Sequence, residues 1–195
     1  MIADPLTLLQ CCPKADGAAA AILCTAEYAA RVGGKPVSIR GMALTSGTAV
    51  FTSGNGTQSA GRRAVTAAYA QAGVGPENLD VVECHDAFTI GEILYTEELG
   101  LCAAGKGGEL AASGATSPGG NAPLVNPSGG LLAKGHPLGA TGIAQIAELV
   151  WQLRGEAGPR QRPHARLAAA LTMGAGEFEL DANACTVFVL ERPKA

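Results

Sequence analysis

Aromatic side chains are scarce in this chain. Four Phe, three Tyr and one Trp make up 4% of 195 residues, against 47% hydrophobic residues overall. Any core is therefore built mainly from Ala, Val, Leu and Ile. Basic blocks are missing too: 14 Lys and Arg face 17 Asp and Glu, for a net charge of −3. Without a basic stripe interleaved with aromatics, nucleic acid is excluded as an expected partner. No apolar run approaches a membrane span, since AAAAILC is far too short. The opening MIADPLTLLQCCPKADG lacks the basic start and apolar stretch of a secretion signal, and the closing ERPKA is not a peroxisomal address. Six cysteines follow no secreted-scaffold spacing, so reduced thiols in a cytoplasmic compartment are expected. Metal-ligand spacings such as HxH, HxxxH or CxxC are absent, and no metal is expected.

What is present reads as alternating strands and helices. GAAAAILCT is either a buried strand or a helix start; an apolar run this short does not decide by period alone. PVSIRGMALTSG alternates as a strand, FTSGNGTQSAGRR opens as a polar loop, and SAGRRAVTAAYAQAG continues as a helix closed by Gly73. LDVVECH is a continuous run of the kind found in strands buried on both faces. FTIGEILYTEELG is a helix ending at Gly100, and KGGELAASGATSPGGNAP is a long small-residue loop. A second long helix is expected from Leu138 to Leu153, with Ile143, Ile146, Val150 and Leu153 on one face. RLAAALTMG and ACTVFVLER close the chain as strands. This order argues an α/β domain with helices covering a mixed sheet, and the 195 residues suffice for one domain with a sizeable core.

Two histidines stand where such folds keep their chemistry. His85 ends the run LDVVECH, and ligands bind at the carboxyl ends of strands in open α/β sheets. Alternation turns Cys84 and Asp86 away from His85, so Cys84 and His85 are not a thiolate–imidazole pair. His136 sits in KGHPLGATG, where Pro137 disfavours helical geometry at His136 and the glycines permit close backbone approach. A neutral imidazole donating there could stabilise a developing oxyanion. A histidine that merely caps its loop is the competing reading.

ECHDAFTIGE and NPSGGLLAKGHPLGATGIAQIAELVWQLRGEAG together resemble the two C-terminal signature regions of the thiolase superfamily, in its sterol-carrier-protein-type branch. DPLTLLQCCPKADGAAAAILC is similar to the start of that branch's C-terminal half. The resemblance implies one βαβαβαββ half of the thiolase fold, with a mixed five-stranded sheet, spanning residues 1–195 as one domain. It implies His85 and His136 as catalytic residues forming an oxyanion hole for a thioester oxygen, with His136 also assisting the nucleophile. Asn126, Gly135 and Phe88 become candidate substrate-binding residues. Coenzyme A enters as part of an acyl-CoA substrate, and no cofactor is implied.

Two departures shape the expected reaction. The family's acyl-accepting cysteine belongs to an N-terminal half that this chain does not contain, and the six cysteines here read mostly as core. Its acid/base cysteine is also replaced: Thr172-Met173-Gly174 stands at the CxG loop and Ala87 in the HDxF block. Claisen chemistry needs such a base. The expectation therefore leans to retro-aldol cleavage of a β-hydroxyacyl-CoA in lipid or steroid side-chain metabolism, with Tyr95 and Tyr69 as possible proton-handling groups. The alternatives are a Claisen acyltransferase completed by a separate N-terminal half, a non-catalytic thiolase-like module, and a truncated remnant. Expected partners are an N-terminal-half subunit or a second copy, and a small OB-fold protein of the DUF35 type. Arg62, Arg63 and Lys134 are weak candidates for coenzyme A contacts.

Overall fold

A computed structural model describes residues 1–47, 58–174 and 184–192. The loop expected from residue 51 falls largely outside them. Five strands form one mixed sheet in the order β1-β5-β4-β2-β3: β1 Ser38–Ser46, β2 Val81–Glu83, β3 Leu124–Val125, β4 Leu167–Met173 and β5 Ala184–Glu191. The β1–β5 and β4–β5 pairs are antiparallel, and β2 pairs in parallel with both β4 and β3.

The central strands explain why the sequence reads as it does. Along β4, Leu167, Ala169 and Leu171 enter one core while Ala168 and Ala170 enter the other. That two-residue alternation makes both faces apolar, as a strand covered on both sides requires. One face is covered by α2, Ala60–Ala72, and the other by α6, Thr141–Arg154. Helix α2 is N-capped by the Ser59 hydroxyl, which accepts from the Arg62 amide, and ends at Gly73 in the left-handed region. It presents Ala60, Gly61, Ala64, Val65, Ala68 and Ala72 inward. In this aromatic-poor chain, close approach of small surfaces replaces large core side chains.

Several expectations need correction. The stretch after α3, Thr89–Glu98, expected as a long loop over residues 106–123, contains α4, Gly107–Ala112, and is followed directly by the short strand β3. With α5, Gly130–Lys134, these complete a βαβαβαββ order. Helix α6 starts at Thr141 rather than Leu138, because the Pro137 carbonyl first accepts the amides of Ala140 and Thr141 in a turn. Its buried face is Thr141, Gln145, Glu148, Leu149, Gln152 and Leu153, whereas Ile143 is exposed and Ile146 and Val150 are half-buried. The inward polar groups are satisfied: Glu148 pairs with Arg160 at 2.9 Å, and Gln152 donates to the Arg160 carbonyl at 2.8 Å. Finally, GAAAAILC is neither buried nor paired among the described residues. Ile22 and Leu23 are 93% and 83% exposed, and Cys24 is exposed rather than in a core. Among the described residues, no strand of the sheet pairs with that stretch. Cys11 and Cys12, expected in a core, are only half-buried. Cys84 and Cys185 are buried as expected.

The tightest helix–sheet contact is at Gly41 on β1. A Cβ there would lie 2.3 Å from the Ala68 carbonyl oxygen and 3.0 Å from the Ala72 Cβ. Gly41→Ala should therefore destabilise the chain by about 1–3 kcal/mol, the usual range for overpacking. Gly34→Ala, where nothing lies within 4 Å, is the control. Equal urea midpoints for the two variants would show that α2 yields without strain.

Candidate functional site

The two histidine loops meet. The rings of His85 and His136 stand edge to face, with centroids 4.8 Å apart and planes at 82°. His85 lies two residues past β2, and His136 lies in the turn between α5 and α6. Asp86 connects the loops. Its carboxylate accepts from the amides of Leu131 at 2.7 Å and Leu132 at 3.5 Å, at the opening of α5. Gly130 makes room for it: a Cβ there would lie 2.0 Å from an Asp86 oxygen.

A third segment, unmarked in the sequence, straps the loops together. The Cys12 amide donates to the Ala87 carbonyl at 2.9 Å, and Cys11 bridges to Phe88. The His136 amide donates to the Pro13 carbonyl at 3.1 Å, and Lys14 bridges to His136. Gly135, buried with φ of 84°, lies under this strap; a Cβ there would be 2.6 Å from that of Ala15. All these contacts run through the main chain, so no side-chain motif announces them.

The protonation of the pair follows from its surroundings. Burial, followed by the neighbouring His136, lowers the His85 pKa to about 4. Burial also lowers that of His136, opposed by the charge of Asp86. Both rings are neutral at pH 7. Thr141 Oγ1 lies 2.7 Å from His136 Nδ1 and donates its single proton to the Pro137 carbonyl at 3.0 Å. With the hydroxyl proton on that carbonyl, its lone pair faces Nδ1 and the matching tautomer is Nδ1–H, with Nε2 as an acceptor. His85 Nδ1 is buried and has no hydrogen-bond partner among the described residues. An unpartnered lone pair is tolerated better than an unpartnered N–H, so the His85 proton belongs on Nε2. One ring presents an acceptor and the other a donor.

The remaining candidates divide sharply. Asn126, at φ 47°, accepts from the Cys84 amide at 2.8 Å and donates to Glu92 at 2.9 Å, so its amide braces β2 against α3. Phe88 is 47% exposed beside the strap. Thr172 donates its hydroxyl to Gln145, and burial raises the Cys12 thiol, helped by the charge of Asp86. The Tyr69 phenol donates to the Leu99 carbonyl at 2.9 Å, and burial pushes the Tyr95 phenol up to about 12, so neither suits proton exchange near neutrality. Arg62 and Arg63 are engaged by main-chain carbonyls, and Lys134 by Ser128 and Glu83. Among the described residues, no cluster of three or more His, Cys, Asp or Glu could hold a metal, and no helix is long and apolar enough to cross a membrane.

The strand order, the crossovers and the loops gathered at the carboxyl end of β2 define an α/β domain of the thiolase type. The chain belongs to the thiolase C-terminal domain-like family, whose model matches residues 41–188. It is 46% identical over 182 residues to sterol carrier protein 2 of Oryctolagus cuniculus, covering 90% of this chain and 33% of that protein. It is 47% identical over 180 residues to an acetyl-CoA acetyltransferase of Methanothermobacter thermautotrophicus, covering 89% and 46%. Against the benzoylsuccinyl-CoA thiolase subunit BbsB of Thauera aromatica the identity is 40% over 183 residues, covering 90% and 46%. A solved structure described as the Ltp2-ChsH2(DUF35) aldolase shares the fold with a TM-score of 0.77 at 27% identity, covering 98% of this chain and 49% of that one. This chain thus spans a third to about half of the proteins it matches.

Two predictions follow from this geometry. In Thr141→Val the His136 tautomer should shift toward Nε2–H, while Thr141→Ser keeps Nδ1–H. Ring nitrogen chemical shifts report both, and an unshifted valine variant would remove Thr141 from control of the ring. The second concerns Glu83, which is buried and accepts from the Ser128 amide at 3.0 Å and hydroxyl at 2.8 Å. Burial, partly offset by Lys134, raises its pKa from 4.5 to about 7. The folded state then holds a proton that the unfolded chain has released between pH 4.5 and 7, so stability falls as pH rises through that window. His85 works in the opposite sense from about 4 to 6.5, so the difference from Glu83→Gln isolates Glu83. The variant should gain on the parent from pH 5 to pH 8, by at most about 1.4 kcal/mol per pH unit. A constant difference in urea unfolding would count against a charge buried there.

Proposed function

We propose that this chain is one half of an enzyme that breaks a carbon–carbon bond in a β-hydroxyacyl-CoA by retro-aldol cleavage. The observation that carries this reading is the donor–acceptor histidine pair at 4.8 Å, with no free acid/base group at Ala87 or Thr172. His136 Nε2 takes the proton of the β-hydroxyl. The Cα–Cβ bond breaks, its electron pair forms the thioester enolate, and a ketone or aldehyde leaves. His85 Nε2–H donates to the enolate oxygen, and the proton returns to the α-carbon. No acyl-enzyme forms, so no thiol nucleophile is required. Phe88, exposed beside the strap, borders the approach to the pair, Gly135 lets the strap pass close over the His136 turn, and Asn126 holds His85 in place through the Cys84 amide.

The likeness to the Ltp2-ChsH2(DUF35) aldolase supports this reading, and its name supports a DUF35-type OB-fold protein as a partner here. In this reading the site is completed by a counterpart thiolase half, the portion of each thiolase relative that this chain does not match. The acetyl-CoA acetyltransferase and benzoylsuccinyl-CoA thiolase relatives favour a second reading, Claisen chemistry with the nucleophile on that counterpart half.

The reconstituted complex should release a shorter acyl-CoA and a carbonyl product without free coenzyme A. His136→Ala should lower turnover roughly 10²–10⁴-fold as a lost base, and His85→Ala roughly 10²–10³-fold as a lost donor. Because both histidine pKa values are lowered, the acid limb of the rate profile should lie below pH 6.5. Thiolysis of acetoacetyl-CoA by the complex, dependent on free coenzyme A, would replace the aldolase reading with the Claisen one.

A further inference from the structure

We infer that Glu83 and Lys134, joined through the Ser128 hydroxyl, are positioning residues that fix the His136 turn relative to the strand carrying His85; this rests on the histidine pair being the site, as proposed above. Glu83 ends β2 two residues before His85, and Lys134 ends α5 two residues before His136. From these two ends their side chains meet on Ser128. The Glu83 carboxylate accepts from the Ser128 amide at 3.0 Å and from its hydroxyl at 2.8 Å. Lys134 Nζ donates to the same hydroxyl oxygen at 2.7 Å and stands 3.7 Å from Glu83 Oε2.

This link reaches a part of α5 that Asp86 does not. Asp86 accepts the amides of Leu131 and Leu132, which open the helix. The Lys134 side chain instead runs back over the helix, from its last residue to Ser128 ahead of its first. His136 follows after a single glycine, so the direction in which α5 ends is the direction in which the imidazole is presented. Hydrogen bonds fix that direction because they weaken steeply when bent.

The clamp is made for a charged carboxylate. A hydroxyl offers one proton and two lone pairs. At Ser128 the proton goes to Glu83, and the lone pairs go to Lys134 and to the Gly130 amide at 3.2 Å. Each of these partners of Glu83 is thus a donor. A proton on Glu83 either stays buried without an acceptor or draws the Ser128 hydroxyl away from Gly130 or Lys134.

Charged groups approach Glu83 from two helices and one loop. Lys134 comes from α5, Glu148 from α6, and Arg160, paired with Glu148, from the loop after α6. Asp86, from the same connection as His85, faces Lys134. β4 pairs with Glu83 through Ala170, and β3 consists of Leu124 and Val125, so neither strand adds a charge. Burial dominates and raises the pKa of Glu83 from 4.5 to about 7; Lys134 and the Ser128 bonds oppose the rise, and Glu148 adds to it. The clamp is therefore complete above pH 7 and loosened below it. Both histidine rings, with pKa values lowered from 6.5, are still neutral when this happens. A step near pH 7, distinct from the acid limb of the histidines, belongs to the clamp.

The test follows ring-nitrogen and amide chemical shifts of the full chain across the neutral range, without substrate or counterpart. In the parent, residues 130–136 and the His136 ring should move in one step near pH 7, separate from the titration of the rings themselves. Glu83→Gln, which carries a donor where the proton would be, should keep them at the values the parent shows below that step. Lys134→Met removes the charge that opposes the rise, so its step should move to higher pH. Lys106→Met, whose lysine pairs with Glu109 at the surface, should leave the step in place. A step that persists in Glu83→Gln overturns the inference, and so does an unmoved step in Lys134→Met. Should the glutamine variant not fold, the lysine variant, altered at a partly exposed side chain, decides alone. No turnover enters these readings: an aldolase assay that fails leaves the clamp standing, and a clamp that fails leaves the reaction to be read from His136→Ala.

Discussion

The site depends on where one carboxylate is held. Asp86 follows His85 directly, and its oxygens accept the amides that open α5, the short helix that delivers Gly135 and His136. Burial raises the pKa of Asp86, and its three backbone hydrogen bonds and Lys134 pull in the opposite direction. A buried charge is kept only when it is so engaged. Removing the carboxylate would leave the amides of Leu131 and Leu132 without acceptors and uncouple β2 from the α5–α6 turn. Gly130 has its place for the same reason, since any side chain there collides with Asp86.

Behind the site the fold uses buried polar side chains where a simple amphipathic helix would use leucine. Gln145, Glu148 and Gln152 all point inward from α6. Gln145 holds Thr172 at the end of β4, and Gln152 and Glu148 gather Arg160 and Gln161 from the loop that leads back into β4. These bonds fix the rotation of α6 about its axis, and so the direction from which Thr141 meets His136. Hydrogen bonds are directional where apolar packing is not. This accounts for the exposure of Ile143 on a helix whose hydrophobic stripe points elsewhere.

That inversion also explains what could be read in advance. Both histidines are visible in the sequence because Gly and Pro mark the ends of the elements that carry them, and topology then brings those ends together. The inward face of α6 is not visible, since Gln and Glu read as solvent-facing until their partners are known. The strap is hidden for another reason: Pro13 contributes a carbonyl and Cys12 an amide, groups every residue shares. β3 is two residues long and α4 six, both in glycine-rich sequence too brief to show a period. AAAAILC carries a strand's composition, but composition does not say which sheet receives it.

Asp86 also joins the architecture to the chemistry. Its charge raises the pKa of His136, against the burial that lowers it. Covering the site with a second protein surface would remove water from Nε2 and lower that pKa further, weakening the ring as a base. The same loss of water strengthens every remaining charge interaction, including the one between Asp86 and the imidazolium formed when His136 takes a proton. Burial lowers the pKa of His85 to about 4, which favours its neutral form beside that cation. In the proposed reaction, the burial of His85 and the charge of Asp86 beside His136 together make His136 the imidazole that becomes the cation.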